Sequence, residues 1–296
     1  MTWVSAIEGT ETGHTVALLL ALSAAFLHAL FGALQKGRYD PWTSRTIIDC
    51  GLLVLSAPIA LLMVPWPPLD LWWVFAGMVV IHFIYKVLMG LTYERGAYTV
   101  VYPVVRGTGP LFTVIGAGLI FGERFTVVQW AGVGLLLAGL FGLSAYNMAK
   151  ITVARDRLAS ALGWAVVAGL SVAVYTTWDA WGIRAVENPF TFLAWFFFLT
   201  AFDFPVIALA RGKLRAPDAD MIRLGLVGAI IAFGSFGSVM LATRLDSVGE
   251  AAILRETSTV FAALIGWVWL KETVGPRRIA LMSLIALGAV VVEMGG

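Results

Sequence analysis

Ten long runs of apolar residues, separated by short polar segments, constrain the fold of this 296-residue chain more than any other feature. A helix needs roughly 20 mostly apolar residues to cross a bilayer. Only 13% of the residues are charged, whereas a soluble domain has about a quarter. We therefore predict an all-α integral membrane protein with about ten transmembrane helices, near residues 16–35, 46–64, 71–92, 97–121, 127–146, 159–182, 190–210, 221–242, 248–270 and 279–293.

The polar segments between these runs are too short to hold a globular domain, so the chain is nearly all membrane. The predicted organisation is an N-terminal tail (1–15), a first five-helix repeat (16–146), a cytoplasmic linker (147–158) and a second five-helix repeat (159–293). No basic block is long enough for nucleic-acid binding. The expected partners are the lipid bilayer and a small-molecule substrate, and the chain is expected to be a monomer or a homodimer.

The two halves of the chain match each other in register. At a constant spacing of 149 positions, Arg106 falls on Arg255, Thr108 on Thr257 and Glu123 on Glu272; earlier in each half the spacing is 148. Apolar strings align by chance more easily than two arginines, a threonine and a glutamate do. Because five helices per half is an odd number, the second copy must enter the membrane inverted, as in secondary transporters.

Loop charges predict the orientation, because Lys and Arg are retained on the cytoplasmic side. Only Arg124, Arg184 and Arg244 follow the even-numbered helices. The loops after the odd-numbered helices hold the other loop cations, Lys36, Arg38, Arg45, Arg95, Lys150, Arg155, Arg157, Arg211, Lys213, Arg215, Arg223, Lys271, Arg277 and Arg278. This bias predicts a multi-pass protein of the plasma (inner) membrane with both termini outside the cytoplasm.

Three segments resemble the EamA-type branch of the drug/metabolite transporter superfamily. They are HALFGALQK (28–36), VYPVVRGTGP (101–110) leading into 122–124, and LRET (254–257) leading into 270–272. The resemblance covers essentially the whole chain. It implies ten helices in two inverted five-helix repeats, and export of amino acids or other metabolites.

Arg106 and Arg255 are the leading candidates for substrate binding, since an ionisable group near the bilayer centre is costly and often functional. A guanidinium presents a planar fork that suits a carboxylate or phosphate. We expect both to face one central, water-reachable cavity, with Tyr102, Lys86 and Glu256 nearby. The structural alternative is that each arginine pairs with an internal carboxylate such as Asp203 or Glu256 and only holds the helices together.

Protons are the expected coupling ion if transport is coupled, and the candidate carriers are His28, Glu256 and Asp203. His82 lies four residues before Lys86 on the third helix, with Tyr85 beside them, and Lys86 has the alternative of reaching outward to the interface. Pro103, Gly107, Gly109 and Pro110 surround Arg106. Since proline removes a backbone donor, they predict a kink or break in the fourth helix.

The function that these features favour is secondary active transport, as an exporter, of a small anionic or zwitterionic metabolite such as an amino acid. The alternatives are a proton-coupled multidrug or lipophilic-cation exporter, and a lipid flippase or structural membrane subunit. Motifs of hydrolases, phosphate loops and dinucleotide sites are missing from the sequence. We therefore expect no enzyme activity, catalytic residue, cofactor or metal site.

Overall fold

Helices joined by short turns account for nearly all of the described chain. A computed structural model describes residues 2–34, 39–96, 98–149, 158–212, 216–268 and 275–296. Ten spans are numbered in chain order: span 1 Glu11–Leu34, span 2 Pro41–Pro58 with a π-helical turn Ile59–Met63, span 3 Trp72–Arg95, span 4 Tyr98–Phe121, span 5 Val127–Met148, span 6 Leu158–Ala185, span 7 Pro189–Thr200 with Asp203–Ala210, span 8 Ala219–Leu245, span 9 Val248–Arg255 with Ser258–Val268, and span 10 Pro276–Met294.

Nine of these spans are long and apolar enough to cross a membrane within the part of the chain that the structure describes. Span 10 is a 19-residue helix with Arg277 and Arg278 in its first turn and Glu293 near its end. The predicted fold, an all-α membrane protein of about ten helices in two repeats, is confirmed.

The first long helix begins at Glu11, five residues before its predicted start at 16. Its first turn is preceded by Thr10, whose Oγ1 accepts from the Gly13 backbone N–H and donates to the Ile7 carbonyl. A short helix, Trp3–Ile7, precedes it, so most of the predicted 1–15 tail is helical. Most of the predicted linker (150–157) lies outside the described residues, as do Lys36, Arg38, Lys213, Arg215, Lys271 and Glu272.

Span 2 and span 7, which are repeat-related, begin with matching caps. Asp40 Oδ1 accepts from the backbone N–H groups of Trp42 and Thr43 at 3.0 and 3.1 Å. Asn188 Oδ1 accepts from the N–H of Phe190 at 3.0 Å. In both spans a proline occupies the first turn, where its missing N–H needs no partner. The two starts are therefore specified by the same local chemistry.

Arg45, counted above with the loop cations, lies inside span 2 and not in a loop. Its guanidinium binds the fully buried carboxylate of Asp49. Nε lies 3.0 Å from Oδ2, and Nη2 lies 3.0 Å from Oδ1. Residues four apart share one helix face, so the pair forms within a single turn. Asp49 therefore neutralises part of the positive charge of Arg45, which the orientation prediction counted as a loop cation.

The described chain divides into two compact units that do not coincide with the repeats. The first consists of Met1–Phe83 and Trp178–Leu245, and the second of Ile84–Thr177 and Asp246–Gly296. Each unit draws helices from both halves of the sequence: spans 1, 2, 7 and 8 belong to the first unit, and spans 4, 5, 9 and 10 to the second. The boundaries cut spans 3 and 6.

Spans 5 and 10, in the second unit, show the inversion directly. A Cβ added to Gly132 would lie 2.8 Å from the Gly288 carbonyl oxygen, and one added to Gly139 would lie 2.7 Å from the Leu281 carbonyl oxygen. As the number rises along span 5, the number of the facing residue falls, so the helices are antiparallel. The repeat spacing of 149 exchanges these two contacts, since Gly139 corresponds to Gly288 and Gly132 to Leu281.

In the first unit, spans 6 and 8 cap each other. Arg184, on span 6, donates from Nε to the Thr243 carbonyl at 2.9 Å. Arg244, on span 8, donates from Nη1 to the carbonyls of Ile183 and Val186 at 2.6 and 3.0 Å. The last carbonyls of a helix lack partners within it and attract cations. Each arginine therefore satisfies the end of the other helix.

Candidate functional site

Arg106 is buried within span 4, and its guanidinium is bound to span 9. Its Nε lies 2.8 Å from Glu256 Oε2, with the two side chains only 9% and 4% exposed. Its Nη2 donates to Ser258 Oγ at 2.9 Å and to the Arg255 backbone carbonyl at 3.2 Å. Two charges buried this deeply are tolerated because each neutralises the other.

A break in span 9 creates part of this binding surface. Its first helix ends at Arg255 and the second begins at Ser258. At the break, the Thr259 N–H bonds to the Glu256 carbonyl instead of that of Arg255. The Arg255 carbonyl, released from its usual partner four residues on, accepts from Arg106. Freed backbone within a transmembrane span is the kind of group that transporters use for binding.

The sequence predicts a kink or break in span 4, and the structure has no break there. Tyr98–Phe121 runs as one α-helix through Pro103 and Pro110, and the interruption is in the repeat-related span 9, which contains no proline. There the Thr257 hydroxyl donates to the Leu254 carbonyl at 2.6 Å, and the backbone N–H groups of Glu256 and Thr257 make the tighter bonds to residues three back. Such side-chain bonds compete with regular helix bonding.

Tyrosine rings border the Arg106 side chain. The guanidinium carbon lies 5.9 Å from the ring centroid of Tyr102, one turn earlier on span 4. Tyr85 and Tyr175 contact each other with ring centroids 4.7 Å apart, and both lie within electrostatic range of Arg106. A cation over aromatic faces is stabilised when it is shielded from water. The prediction named Tyr102 as a site residue but not Tyr85 or Tyr175.

The structure brings together Arg106, Glu256 and Tyr102, and the Arg255 carbonyl joins them. The Arg255 side chain is buried and lies within electrostatic range of Glu256 and Tyr102. Lys86 is buried in span 3, within the same unit, and does not spread over the exposed surface. That all five residues line one water-reachable cavity stays a prediction.

The other two predicted proton carriers lie in the first unit. His28 is half-buried, and its ring meets the Phe236 ring edge-on at 6.4 Å. Asp203 begins the second helix of span 7, and its Oδ1 accepts from the N–H of Phe204 at 2.7 Å. Pro205 follows and lacks the N–H that would bond to Ala201, which accounts for the interruption of span 7 at 201–202. Their roles in proton coupling stay predictions.

Glu123, which matches Glu272 across the repeat, caps the start of span 9. Its carboxylate accepts from Ser247 Oγ and from the N–H groups of Val248 and Gly249, at 2.8, 2.8 and 3.0 Å. A carboxylate at a helix N-terminus satisfies unpaired donors and complements the helix dipole. The end of span 4 thus fixes the start of span 9.

One buried polar pair was missed by sequence reasoning. His82 Nε2, on span 3, lies 2.7 Å from Asp179 Oδ2, on span 6, and the side chains are 5% and 4% exposed. The available signal was Asp179 itself, a carboxylate inside an otherwise apolar run. The sequence pairs His82 only with Lys86 on its own helix, because it gives no indication that spans 3 and 6 are in contact.

The arrangement around Arg106 can exchange partners. A ligand carboxylate or phosphate competes with Glu256 for the guanidinium, and a proton on Glu256 weakens its hold on Arg106. A zwitterion matches the site twice, since its anionic group suits Arg106 and its ammonium suits Glu256. The tyrosines supply hydroxyl and ring contacts beside these charges.

Comparisons with known proteins cover nearly the whole chain. The sequence model of the EamA-like transporter family matches residues 15–145 and 159–294. A solved crystal structure shares the fold, with a TM-score of 0.73 and 19% identity over 93% of this chain and 97% of that chain. An uncharacterized protein of Sinorhizobium fredii, y4nH, is 33% identical over 70 residues, which are 24% of this chain and 60% of that protein.

Proposed function

Because the chain belongs to the EamA-like transporter family, we propose that it is a secondary active transporter that exports a small anionic or zwitterionic metabolite, such as an amino acid. Transport proceeds by alternating access, and Arg106, Arg255, Tyr102, Lys86 and Glu256 bind the substrate. The observation that carries the proposal is the buried Arg106–Glu256 pair at the break of span 9. It supplies one charge of each sign in a place shielded from water.

The substrate's anionic group takes the place of Glu256 on the Arg106 guanidinium, with the Ser258 hydroxyl and the Arg255 carbonyl holding the guanidinium in position. A neutral substrate has no group that competes with a carboxylate at 2.8 Å. For a zwitterion, the displaced Glu256 receives the ammonium group, so no charge is left without a partner. A proton on Glu256 promotes the same exchange by weakening its hold on the Arg106 guanidinium.

The plasma membrane is the proposed location, with both termini outside the cytoplasm, as the Lys and Arg bias favours. Reporter fusions at Gly296 and at Ala154 test the orientation, since they should give opposite signals with Ala154 cytoplasmic. The reverse pattern would overturn the orientation and leave the substrate proposal intact.

Ligand binding to the purified protein tests the substrate class. Thermal shift is measured with amino acids, with succinate and phosphate, and with tetraphenylphosphonium, which probes the lipophilic-cation alternative. We expect Arg106→Gln to weaken binding of the stabilising amino acid or anion by tenfold or more, because a charged hydrogen bond contributes about 1.5–3 kcal/mol. Arg124→Gln, at an exposed position, is the matched control and should bind as the wild type does.

Two results would overturn the proposal. One is equal affinity of Arg106→Gln and the wild type for every anionic or zwitterionic probe. The other is stabilisation by tetraphenylphosphonium alone, which would favour the cation exporter. If no probe binds and Arg106→Gln and Arg255→Gln both unfold, the arginines have a structural role and the flippase or structural-subunit alternative gains support.

A further inference from the structure

The His82–Asp179 pair is a second buried, titratable site, in the first unit and apart from the residues assigned to the substrate. The 2.7 Å separation of Nε2 and Oδ2 is that of a strong hydrogen bond, so a proton lies between the two atoms. Span 3 provides the imidazole and span 6 the carboxylate. The pair thus joins one helix of each repeat.

Phenylalanine rings form the surroundings of this pair. The Phe196 ring meets the imidazole edge-on at 4.8 Å. Phe192 stacks near Phe196 at 6.4 Å and packs on Phe75 at 5.4 Å, and all three phenylalanines are buried. An apolar wall of this kind disfavours net charge. An imidazolium with a carboxylate has none, whereas a neutral imidazole with a carboxylate carries one negative charge.

We propose that His82 and Asp179 together form a one-proton binding site, which couples transport to the proton gradient. In the loaded state the imidazole carries a proton on each ring nitrogen, and the Nε2 proton is hydrogen-bonded to Asp179 Oδ2. On release the second proton passes from Nδ1 to water, Nε2–H keeps its bond to Asp179 Oδ2, and the pair is left with the carboxylate charge. Because the phenylalanine wall disfavours that charge, release requires water to reach the pair.

Within the described residues, spans 1, 3, 6 and 7 differ in the titratable groups that they carry. On span 3, Tyr85 and Lys86 follow His82 within one turn; on span 6, Arg184 follows Asp179 and is bound to the Thr243 carbonyl. The first helix of span 7, Pro189–Thr200, contains no titratable residue. On span 1, His28 lies against Phe236 of span 8.

Proton counting tests the site without a substrate. Purified wild type and variants are titrated between about pH 8 and about pH 5, where histidine gains its charge. Asp179→Asn keeps an acceptor for the imidazole N–H in the same shape but has no charge. We expect it to bind one proton fewer than the wild type, His82→Asn to lose the same proton, and the double variant to lose no more.

His14→Asn, at an exposed position, is the control and should lose a proton independently of the other variants. Two outcomes would overturn the proposal: Asp179→Asn binds as many protons as the wild type, or the losses in the two single variants add. Loss of the same proton in His28→Asn instead would move the site to span 1. Asp179→Asn, being isosteric, keeps the test decisive if His82→Asn fails to fold.

The proton coupling rests on the proposed transport function. A second measurement distinguishes failure of the coupling from failure of the transport function. Proteoliposomes receive an equimolar mixture of radiolabelled amino acids. Asp179→Asn should lose accumulation driven by a pH gradient while exchange of internal for external label continues at the wild-type rate. Gradient-driven accumulation by Asp179→Asn would overturn the coupling. If the wild type moves no label in either mode, amino acids are not its substrates, and the proton count decides this inference by itself.

Discussion

Spans 4 and 9 occupy equivalent positions in the two repeats and carry arginines at matching places, yet their backbones differ. Span 4 is continuous although it contains two prolines, whereas span 9 is broken without any. Arg106 extends a side chain to the other helix, while Arg255 contributes its carbonyl oxygen to Arg106. The two repeats thus contribute different parts of one interaction. The first repeat supplies the guanidinium, and the second supplies the backbone and carboxylate acceptors.

The difference shows that a membrane helix can be interrupted where another residue forms hydrogen bonds with the backbone groups that the interruption leaves without a helical partner. The Arg255 carbonyl is available because the Thr259 N–H bonds to Glu256, and it is buried safely because Arg106 donates to it. Unsatisfied backbone at this depth would cost several kcal/mol. Span 9 can therefore be broken only opposite a donor such as Arg106.

The largest expected effect comes from removing that donor. Arg106→Gln leaves the buried Glu256 carboxylate without the guanidinium, and loss of one partner of a buried pair costs about 3–5 kcal/mol. We expect a lower midpoint of thermal unfolding in detergent for this variant. Adding Glu256→Gln should recover much of the loss, and a double variant no more stable than Arg106→Gln would contradict the pairing. Substitution of the Arg255 side chain leaves the bonded carbonyl in place.

Ser258 tests the acceptor side of the comparison, because its counterpart in the first repeat, Gly109, has no hydroxyl. Ser258→Ala removes the 2.9 Å bond from Arg106 and should destabilise the protein by about 1.5–3 kcal/mol. In the Arg106→Gln background the same change should have little effect. Ser23→Ala, at an exposed serine of span 1, provides the control. Equal losses in both backgrounds would show that the hydroxyl acts elsewhere.

Spans 5 and 10, unlike spans 4 and 9, make equivalent contacts in the two repeats, and they test whether equivalent positions respond equally to substitution. A methyl group on Gly139 would meet the Leu281 carbonyl, and one on Gly288 would meet the Leu136 N–H nitrogen at 2.5 Å. Each Gly→Ala variant should lose about 1–3 kcal/mol by overpacking, and the two losses should be similar. Gly134→Ala, where nothing lies within 4 Å, should be tolerated. A large difference between Gly139→Ala and Gly288→Ala would show that this pair has diverged as well.

The smallest effect concerns the matching caps of spans 2 and 7, of which only Asp40 is ionisable. The hydroxyl of Thr43, followed by backbone N–H groups, outweighs the opposing effect of burial and lowers the pKa of Asp40 below its usual value of 3.8. The stabilisation is therefore complete above that value and lost as the pH falls through the lower folded pKa. Thermal unfolding measured from about pH 7 to about pH 3 covers this range.

Asp40→Asn should match the wild type near neutral pH, since both residues are good caps, and should lose part of the decline in acid. Asp40→Ala should lose about 1 kcal/mol near neutral pH. An Asp40→Asn variant whose acid decline equals that of the wild type would show that other carboxylates dominate.

Hydropathy was sufficient to predict the helices, because it depends on local sequence. Repeat matching was sufficient to predict the inverted arrangement, because each repeat has an odd number of helices. The contact between Arg106 and Glu256 could also be predicted, since the sequence places both residues near the bilayer centre. Its bond to Ser258 was not, because that requires the relative height of two helices separated by 152 positions. The break was assigned to span 4 since prolines are visible in sequence, whereas the competition of the Thr257 hydroxyl for a carbonyl is not.

The order of synthesis gives the composition of the two units a consequence for folding. Span 1 leaves the ribosome long before its neighbour span 8: Ser235 donates to the Ala24 carbonyl from 211 positions later. Neither unit can be completed while only the first half of the chain has been made, and contacts this distant in sequence form late. We expect a gene divided within residues 150–157 to give two fragments that are degraded when expressed singly. Co-expression should rescue both, since each half supplies the missing helices of the other.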